Sequence, residues 1–303
     1  MQHATSAPLE TPRSLPSLSA SIEVLHPITW FPPMWALACG FVSAGVPFLE
    51  RWPFVIGAIF LAGPLLCGTS QVVNDWFDRH VDAINEPDRP IPSGRVPGAW
   101  GLIIAIVWTV VSLTVAWFLG RWIFLASLLG MFLAWAYSAP PFRLKKNGWF
   151  GNAAVGLCYE GLPWFTGTAA LTAALPDYRV LLLALLYSVG TFGIMVTNDF
   201  KAIEGDRELG VRTLPVQLGV AAAARLAVSI MIAPQLVVVG LLVSWERPIH
   251  AAIVAAFVII QIGLVPKLLR APRDNAAWFN ATGTTLSVLG MMVCALAVRT
   301  IGG

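Results

Sequence analysis

Nine stretches of this chain run for close to twenty residues with almost no charge: 28–47, 53–73, 101–120, 122–137, 150–174, 180–197, 222–245, 249–266 and 279–300. A helix needs about 20 apolar residues to cross the hydrocarbon core of a bilayer. A lipid-exposed backbone must satisfy its own hydrogen bonds, so spanning segments are restricted to helices or closed barrels. No stretch alternates apolar and polar residues over the ~10 positions of a barrel strand, which argues against the barrel. Only 12% of residues are charged and 57% are hydrophobic, and the mean hydropathy is +0.74. The expected fold is an all-α polytopic membrane protein of about nine transmembrane helices.

The cations orient that bundle. With the N-terminus in the cytoplasm, fourteen Lys and Arg fall inside and five fall outside, which is the bias of cytoplasmic loops. The longest polar connections, roughly 75–99, 138–149, 198–221 and 267–278, are then all cytoplasmic and together form a cap. Residues 1–25, rich in Ser and Pro and without an apolar core, read as a disordered cytoplasmic tail; residues 26–303 read as one transmembrane domain. The net charge of +3 points to no nucleic-acid partner. Cys39, Cys67, Cys158 and Cys294 lie far apart in apolar runs, without metal-ligand spacing, and read as small buried hydrophobes.

Two cytoplasmic segments match. Residues 74–82 and 198–206 both begin Asn-Asp and both carry Asp eight positions after the Asn. Each follows a long apolar run, and each leads to Arg-x-(Ile/Leu)-Pro, at 89–92 and 212–215. The repeat suggests two related halves of about four helices plus one more. At ~100° per residue, Asp75, Asp78 and Asp82 project within an arc of about 60°, beside the Asn74 amide. Carboxylates clustered at a membrane edge repel one another, and a divalent cation relieves that. Mg²⁺ takes a few carboxylates and completes its shell with water and phosphate oxygens. Asp199 and Asp206, with Asn198, repeat the arrangement. The metal ligands are therefore Asp75, Asp78, Asp82, Asp199 and Asp206.

Cations stand nearby. Arg89, Lys201 and Arg212 lie within or just after the acidic segments, where they can offset carboxylates or grip phosphate; Arg143, Lys145 and Lys146 follow Pro140-Pro141. Positive-inside anchoring alone would also explain the last three.

These residues resemble the UbiA superfamily of intramembrane prenyltransferases, whose N-D-x-x-D-x-x-x-D signature residues 74–82 match. The longer runs 74–95 and 198–207 look like the chlorophyll synthase branch, and 27–35 and 159–164 resemble its bacteriochlorophyll-forming members. The resemblance runs from about residue 22 to the end. It implies a nine-helix bundle with a cytoplasmic cap, in a bacterial inner membrane. It also implies an Mg²⁺-dependent transfer of geranylgeranyl or phytyl from its diphosphate to the 17-propionate of bacteriochlorophyllide, with other pigment-biosynthesis enzymes as neighbours. Asp75, Asp78, Asp199 and Lys201 become the catalytic candidates. Asn74, Arg89, Arg143, Lys145, Lys146, Asn198 and Arg212 become diphosphate-binding candidates. Ala202 departs from the many members that carry Asp at that position.

The acceptor site is less marked in the sequence. Trp30, Trp35 and Trp164 are candidates to face the tetrapyrrole, although membrane-interface or packing roles suit such residues equally. Glu160, in mid-membrane, is expected to pair with a neighbouring helix or to touch the acceptor. A UbiA-type enzyme acting on a quinone precursor or haem is the alternative. A carrier is disfavoured because both acidic sites share one side, and a pigment-binding structural protein because none of the four His lies within an apolar run away from its ends.

Overall fold

The computed structural model describes residues 15–299. Nine helical segments form the bundle among the described residues: α1 (Phe31–Ser43), α2 (Phe48–Asn85), α3 (Trp100–Leu119), α4 (Arg121–Ser138), α5 (148–172), α6 (Tyr178–Glu208), α7 (Val220–Ser244), α8 (Pro248–Arg270) and α9 (Pro272–Val298). Seven of them are long and apolar enough to cross a membrane. The two others fall short of that measure, so it meets seven of the nine expected spans. Helix α1 has only 13 residues, because Pro27–Trp30 ahead of it winds as a 3₁₀ turn. Helix α5 is long enough but carries Asn152, Tyr159, Glu160 and several Gly and Thr, which lower its hydropathy.

The expected tail is also corrected. Residues 1–14 lie outside the described residues, but Leu18–Glu23 is a helix capped by Ser17. It buries Ala20, Val24 and Leu25 against Val72, Val73, Ile91 and Val96. Arg95 grips Glu23 with both guanidinium nitrogens, at 2.5 and 2.8 Å, and ties this helix to the connection after α2.

Small residues let the helices close on one another, as they do in lipid, where apolar side chains gain little by leaving the solvent. Gly40 of α1 and Gly167 of α5 face each other so closely that a Cβ on either would fall 2.2 Å from a backbone oxygen of the other helix. Thr168 donates to the Gly40 carbonyl across the same contact. Gly156 sets α5 against Ser188 of α6, and Gly193 sets α6 against Ala227 of α7.

Three helices contain a wide turn of the π type: Leu61–Cys67 in α2, Leu157–Gly161 in α5 and Asn280–Thr284 in α9. Pro64 accounts for the first, since it offers no N–H to the ladder. Such turns concentrate where side chains must be re-aimed.

Candidate active site

The two acidic motifs meet at one end of the bundle, around the connection between α4 and α5. Asn74 donates to Ser138 at the end of α4 (3.1 Å), and Lys145 of the connection reaches Asp78 (2.5 Å). From the other side, the Arg212 N–H donates to the Lys146 carbonyl and the Gly148 N–H donates to the Arg212 carbonyl, both at 2.9 Å. Asn152, one turn into α5, donates to Asp199 (3.4 Å). Residues 138–152 thus bind both motifs into one cap.

The first motif is helical throughout, as its spacing predicts, since α2 continues to Asn85. Asp75 is buried and held from two sides: His26 Nε2 lies 2.8 Å from Oδ2, and Arg89 donates to Oδ1 at 3.1 Å. The same Arg89 nitrogen reaches Asp82 at 3.2 Å, while its Nε pairs with Glu86. Burial lowers the Arg89 pKa, but Asp75, Asp82 and Glu86 outweigh it and hold the guanidinium above its ordinary value. Asp78 is served by Lys145, with Arg143 farther off at 3.7 Å. Burial lowers the Lys145 ammonium below its usual range despite Asp78. His26 and Arg143 both adopt left-handed backbone conformations, φ 47° and 41°, as do Ala173 and Glu246 in turns elsewhere.

The second motif differs. The helix tightens into a 3₁₀ turn at Asp199–Ala202 and resumes at Ile203–Glu208, so it does not copy the regular helix of the first. Asp199 accepts from Asn152, and Asp206 accepts from Thr213 (3.0 Å). Both donors are neutral, and neither carboxylate has an ion-pair partner among the described residues. Asn198 accepts from Asn280 of α9 (2.6 Å). Glu204 points away and pairs with Arg273 at the surface. Lys201, Lys146 and Arg212 are exposed.

Among the described residues, no three of His, Cys, Asp and Glu stand close enough to hold a metal ion unaided. The donor set still fits a hard divalent cation shared with a phosphate ligand, which needs only one or two carboxylates from the protein. Asp199 and Asp206, with only neutral donors, fit it most directly.

Below the cap lies a cavity of about 870 Å³, whose wall includes Asn74 and Asn198, the first residues of the two motifs. Away from them the lining is mainly apolar: Leu66, Ala126, Leu133, Val155, Leu162 and Val288 are typical. All three wide turns contribute to it, through Cys67, Glu160 and Thr284 among others. Trp35 lines the cavity as expected, with its indole N–H on the Val288 carbonyl (2.9 Å). Trp30 and Trp164 do not. Trp30 turns to the Leu25 carbonyl, and Trp164 is fully buried in the packing between α1 and α5, donating to Ser43. Cys39, Cys67 and Cys294 are buried as expected, whereas Cys158 is half-buried; Cys67 and Cys158 also line the cavity.

The sequence reading missed His26, Ser138 and Asn152. It also missed the polar run Gln71, Tyr159 and Tyr137 on the cavity wall, where Gln71 donates to Tyr159 (3.1 Å). Gln71 alone carried a signal, lying one helical turn before Asn74.

This architecture sets two Asn-Asp motifs over an apolar cavity in a helical membrane bundle, so the site has one charged end and one apolar end. The family model for UbiA prenyltransferases matches residues 29–296, and the chain belongs to that family. It is 56% identical over 288 residues to the bacteriochlorophyll synthase 33 kDa chain of Cereibacter sphaeroides, covering 95% of each. It is 39% identical to a chloroplastic chlorophyll synthase of Arabidopsis thaliana, over 91% of this chain and 73% of that one. Its fold is similar to a solved digeranylgeranylglyceryl phosphate synthase, with a TM-score of 0.75 at 20% identity, covering 92% of this chain and 98% of the other. It is also similar to a UbiA homologue from Archaeoglobus fulgidus bound to DMAPP and Mg²⁺, with a TM-score of 0.68 at 19% identity, covering 91% and 99%.

Proposed function

We propose that this prenyltransferase esterifies the 17-propionate of bacteriochlorophyllide with a geranylgeranyl or phytyl group taken from its diphosphate, in an Mg²⁺-dependent reaction at the cytoplasmic face of a bacterial inner membrane. The observation that carries the reading is the joint between charged cap and apolar cavity, with Asn74 and Asn198 at the boundary. A prenyl diphosphate has that same division. The acceptor is supported by the likeness to bacteriochlorophyll synthase over nearly the whole chain.

Asp75, Asp78, Asp82, Asp199 and Asp206 would hold Mg²⁺ against the diphosphate. The ion would supply neutralisation of the leaving group's charge. The cations now paired with the first motif have a second task. Arg89, Arg143 and Lys145 keep the carboxylates compensated before substrate arrives, and on binding they can turn to phosphate oxygens. Lys201, Lys146 and Arg212, exposed at the rim, would add attraction for the anion. The apolar wall keeps water from the allylic cation left behind. The acceptor carboxyl, which like an ordinary side-chain carboxyl titrates near ~4, is ionised at neutral pH, so no enzymic base is required.

The test is to incubate membranes containing the protein with Mg²⁺, geranylgeranyl diphosphate and a panel of acceptors, then identify the product. A bacteriochlorophyllide ester is expected. Prenylation of a quinone precursor or haem, with the chlorophyllides untouched, would overturn the acceptor assignment.

A further inference from the structure

Gln71 lines the cavity one helical turn below Asn74 and has no task in the mechanism above. Its amide NH₂ donates to the Tyr159 hydroxyl, across the contact of α2 with α5 (3.1 Å). Two of the wide turns meet at this junction: Tyr159 stands in Leu157–Gly161, and Cys67, which closes Leu61–Cys67, lies 3.8 Å from the same hydroxyl. With its nitrogen held by α5, the amide has a fixed direction. The opposite atom, Oε1, accepts no hydrogen bond from the described residues, yet it is not sealed in the packing as Glu160 Oε2 and Ser127 Oγ are. It is a carbonyl oxygen open to the cavity.

Such an oxygen loses its water when substrate fills the cavity, which is costly unless something takes the water's place. Neither reacting group brings a hydrogen-bond donor. The diphosphate and the acceptor carboxylate are themselves acceptors, and the prenyl chain has no polar hydrogen. Three residues of regular helix separate Gln71 from Asn74, a rise of roughly 4.5 Å. Asn74 marks the level of the diphosphate, so Gln71 stands at the level of the first carbons of the chain. Positive charge develops there during the reaction. The C1–O bond breaks, its electron pair leaves on the diphosphate, and the allylic C1–C3 unit holds the charge until a carboxylate lone pair closes the new C1–O bond. Of the other two amides on the cavity wall, Asn198 has its oxygen occupied by Asn280, and Asn74 lies level with the diphosphate itself.

We propose that the Gln71 carbonyl oxygen faces the allylic cation and stabilises it, and that Tyr159 is the positioning residue that aims the amide. The negative end of the amide dipole is fixed before the reaction begins, so no reorganisation is needed as charge develops. An amide oxygen also captures a carbocation less readily than a carboxylate or water would. Because the charge is absent from the bound donor and present in the transition state, the effect falls on kcat and not on KM. This rests on the prenyl diphosphate reading given above and is independent of the acceptor.

The test uses a stable imitation of the cation. One ligand is a geranylgeranyl diphosphate analogue with a protonated amine nitrogen in place of C3; the other is its neutral carbon counterpart. The Kd of each is measured with Mg²⁺ on detergent-solubilised wild type, Gln71→Met, Gln71→Asn and Tyr159→Phe. A carbonyl oxygen meeting a full charge should be worth at least roughly tenfold in Kd. The preference of wild type for the ammonium ligand should therefore exceed that of Gln71→Met by about tenfold, while the carbon ligand binds both alike. Gln71→Asn, whose oxygen falls one carbon short, should lose most of the preference, and Tyr159→Phe part of it. In turnover, Gln71→Met should lose at least roughly tenfold in kcat, with the KM for the donor and the Mg²⁺ requirement unchanged. A preference that Gln71→Met keeps in full overturns the assignment. So does one that rises in that variant, because the amide nitrogen would then be the atom facing the cavity. A Tyr159→Phe protein with undiminished preference overturns the positioning role. If Gln71→Met does not accumulate, Gln71→Asn decides the same point. A wild type that binds neither ligand overturns the prenyl diphosphate reading itself.

Discussion

Arg89 can be tested for stability apart from catalysis. One of its terminal nitrogens serves both Asp75 and Asp82, and its Nε serves Glu86. Replacing it with Met keeps the stem and removes the charge. Asp75 would then retain only His26, and Asp82 would have no ion-pair partner among the described residues. Stripping one member from a fully buried pair costs about 3–5 kcal/mol. The Arg89 side chain is 28% exposed, so water compensates for part of that, and about 2 kcal/mol is a fair expectation. At roughly 2 °C per kcal/mol for a chain this large, the midpoint should fall by about 4 °C. Added Mg²⁺ should then act differently on the two proteins. In wild type it competes with Arg89 for the same carboxylates; in Arg89→Met it meets them free and should recover most of the lost stability. The assay is thermal unfolding in detergent, with and without Mg²⁺. A variant that melts with wild type, or gains no more from Mg²⁺ than wild type does, would refute both the clamp and the metal assignment at the first motif.

Asp75→Asn and Asp78→Asn each remove a charge at constant volume, and each should lower kcat by roughly a hundredfold or more while protein stays in the membrane; near-normal turnover at limiting Mg²⁺ would exclude that residue as a ligand. Ala202 is exposed in the 3₁₀ turn after Asp199, so Ala202→Asp should fold normally and shift the Mg²⁺ concentration for half-maximal rate; an unmoved value would mean that position 202 does not face the metal. The rate at saturating Mg²⁺ should stay flat from about pH 6.5 to 8.5, because a carboxylate acceptor near ~4 is ionised throughout; a tenfold rise per pH unit in the chemical step would favour an aromatic acceptor. Gly167→Ala pushes a Cβ to 2.2 Å from the Leu37 carbonyl, whereas Gly190→Ala meets nothing within 4 Å. The first should lose about 1–3 kcal/mol by unfolding assay and the second almost nothing, and equal effects would contradict the close contact of α1 with α5.

The long apolar runs made the helical bundle legible, and the two Asn-Asp repeats located the cap, because both signals are local in sequence. What joins the cap was not legible. His26 meets Asp75 across 49 positions, and Asn152 meets Asp199 across 47; single polar residues at such distances leave no pattern. Trp164 and Trp35 look alike in sequence, yet one fills a helix contact and the other faces the cavity, a difference set by how Gly40 and Gly167 close. The helix Leu18–Glu23 was hidden by its Ser- and Pro-rich surroundings, since only Ala20, Val24 and Leu25 become buried. Glu160 was legible as an oddity, but its partner Thr191, on the next helix, was not.

The wide turns at Leu61–Cys67, Leu157–Gly161 and Asn280–Thr284 each accommodate more backbone than an α-helix would over the same rise. Length inside these helices is therefore as constrained as residue type. Removing one residue from Leu61–Cys67 would let α2 relax to regular winding and lose the turn's re-aimed side chains on the cavity wall, whereas adding a further residue there would swing everything beyond it by about 100°. Asn74 would leave Ser138 and Asp78 would leave Lys145, with every side chain of the motif intact. The same deletion in Asn280–Thr284 would disturb the Asn280 contact to Asn198. Substitutions in the cavity wall can adjust what it accepts, but a gap or insertion within any of these three turns should silence the enzyme, so length variation among active relatives is expected in the connections between helices and not there.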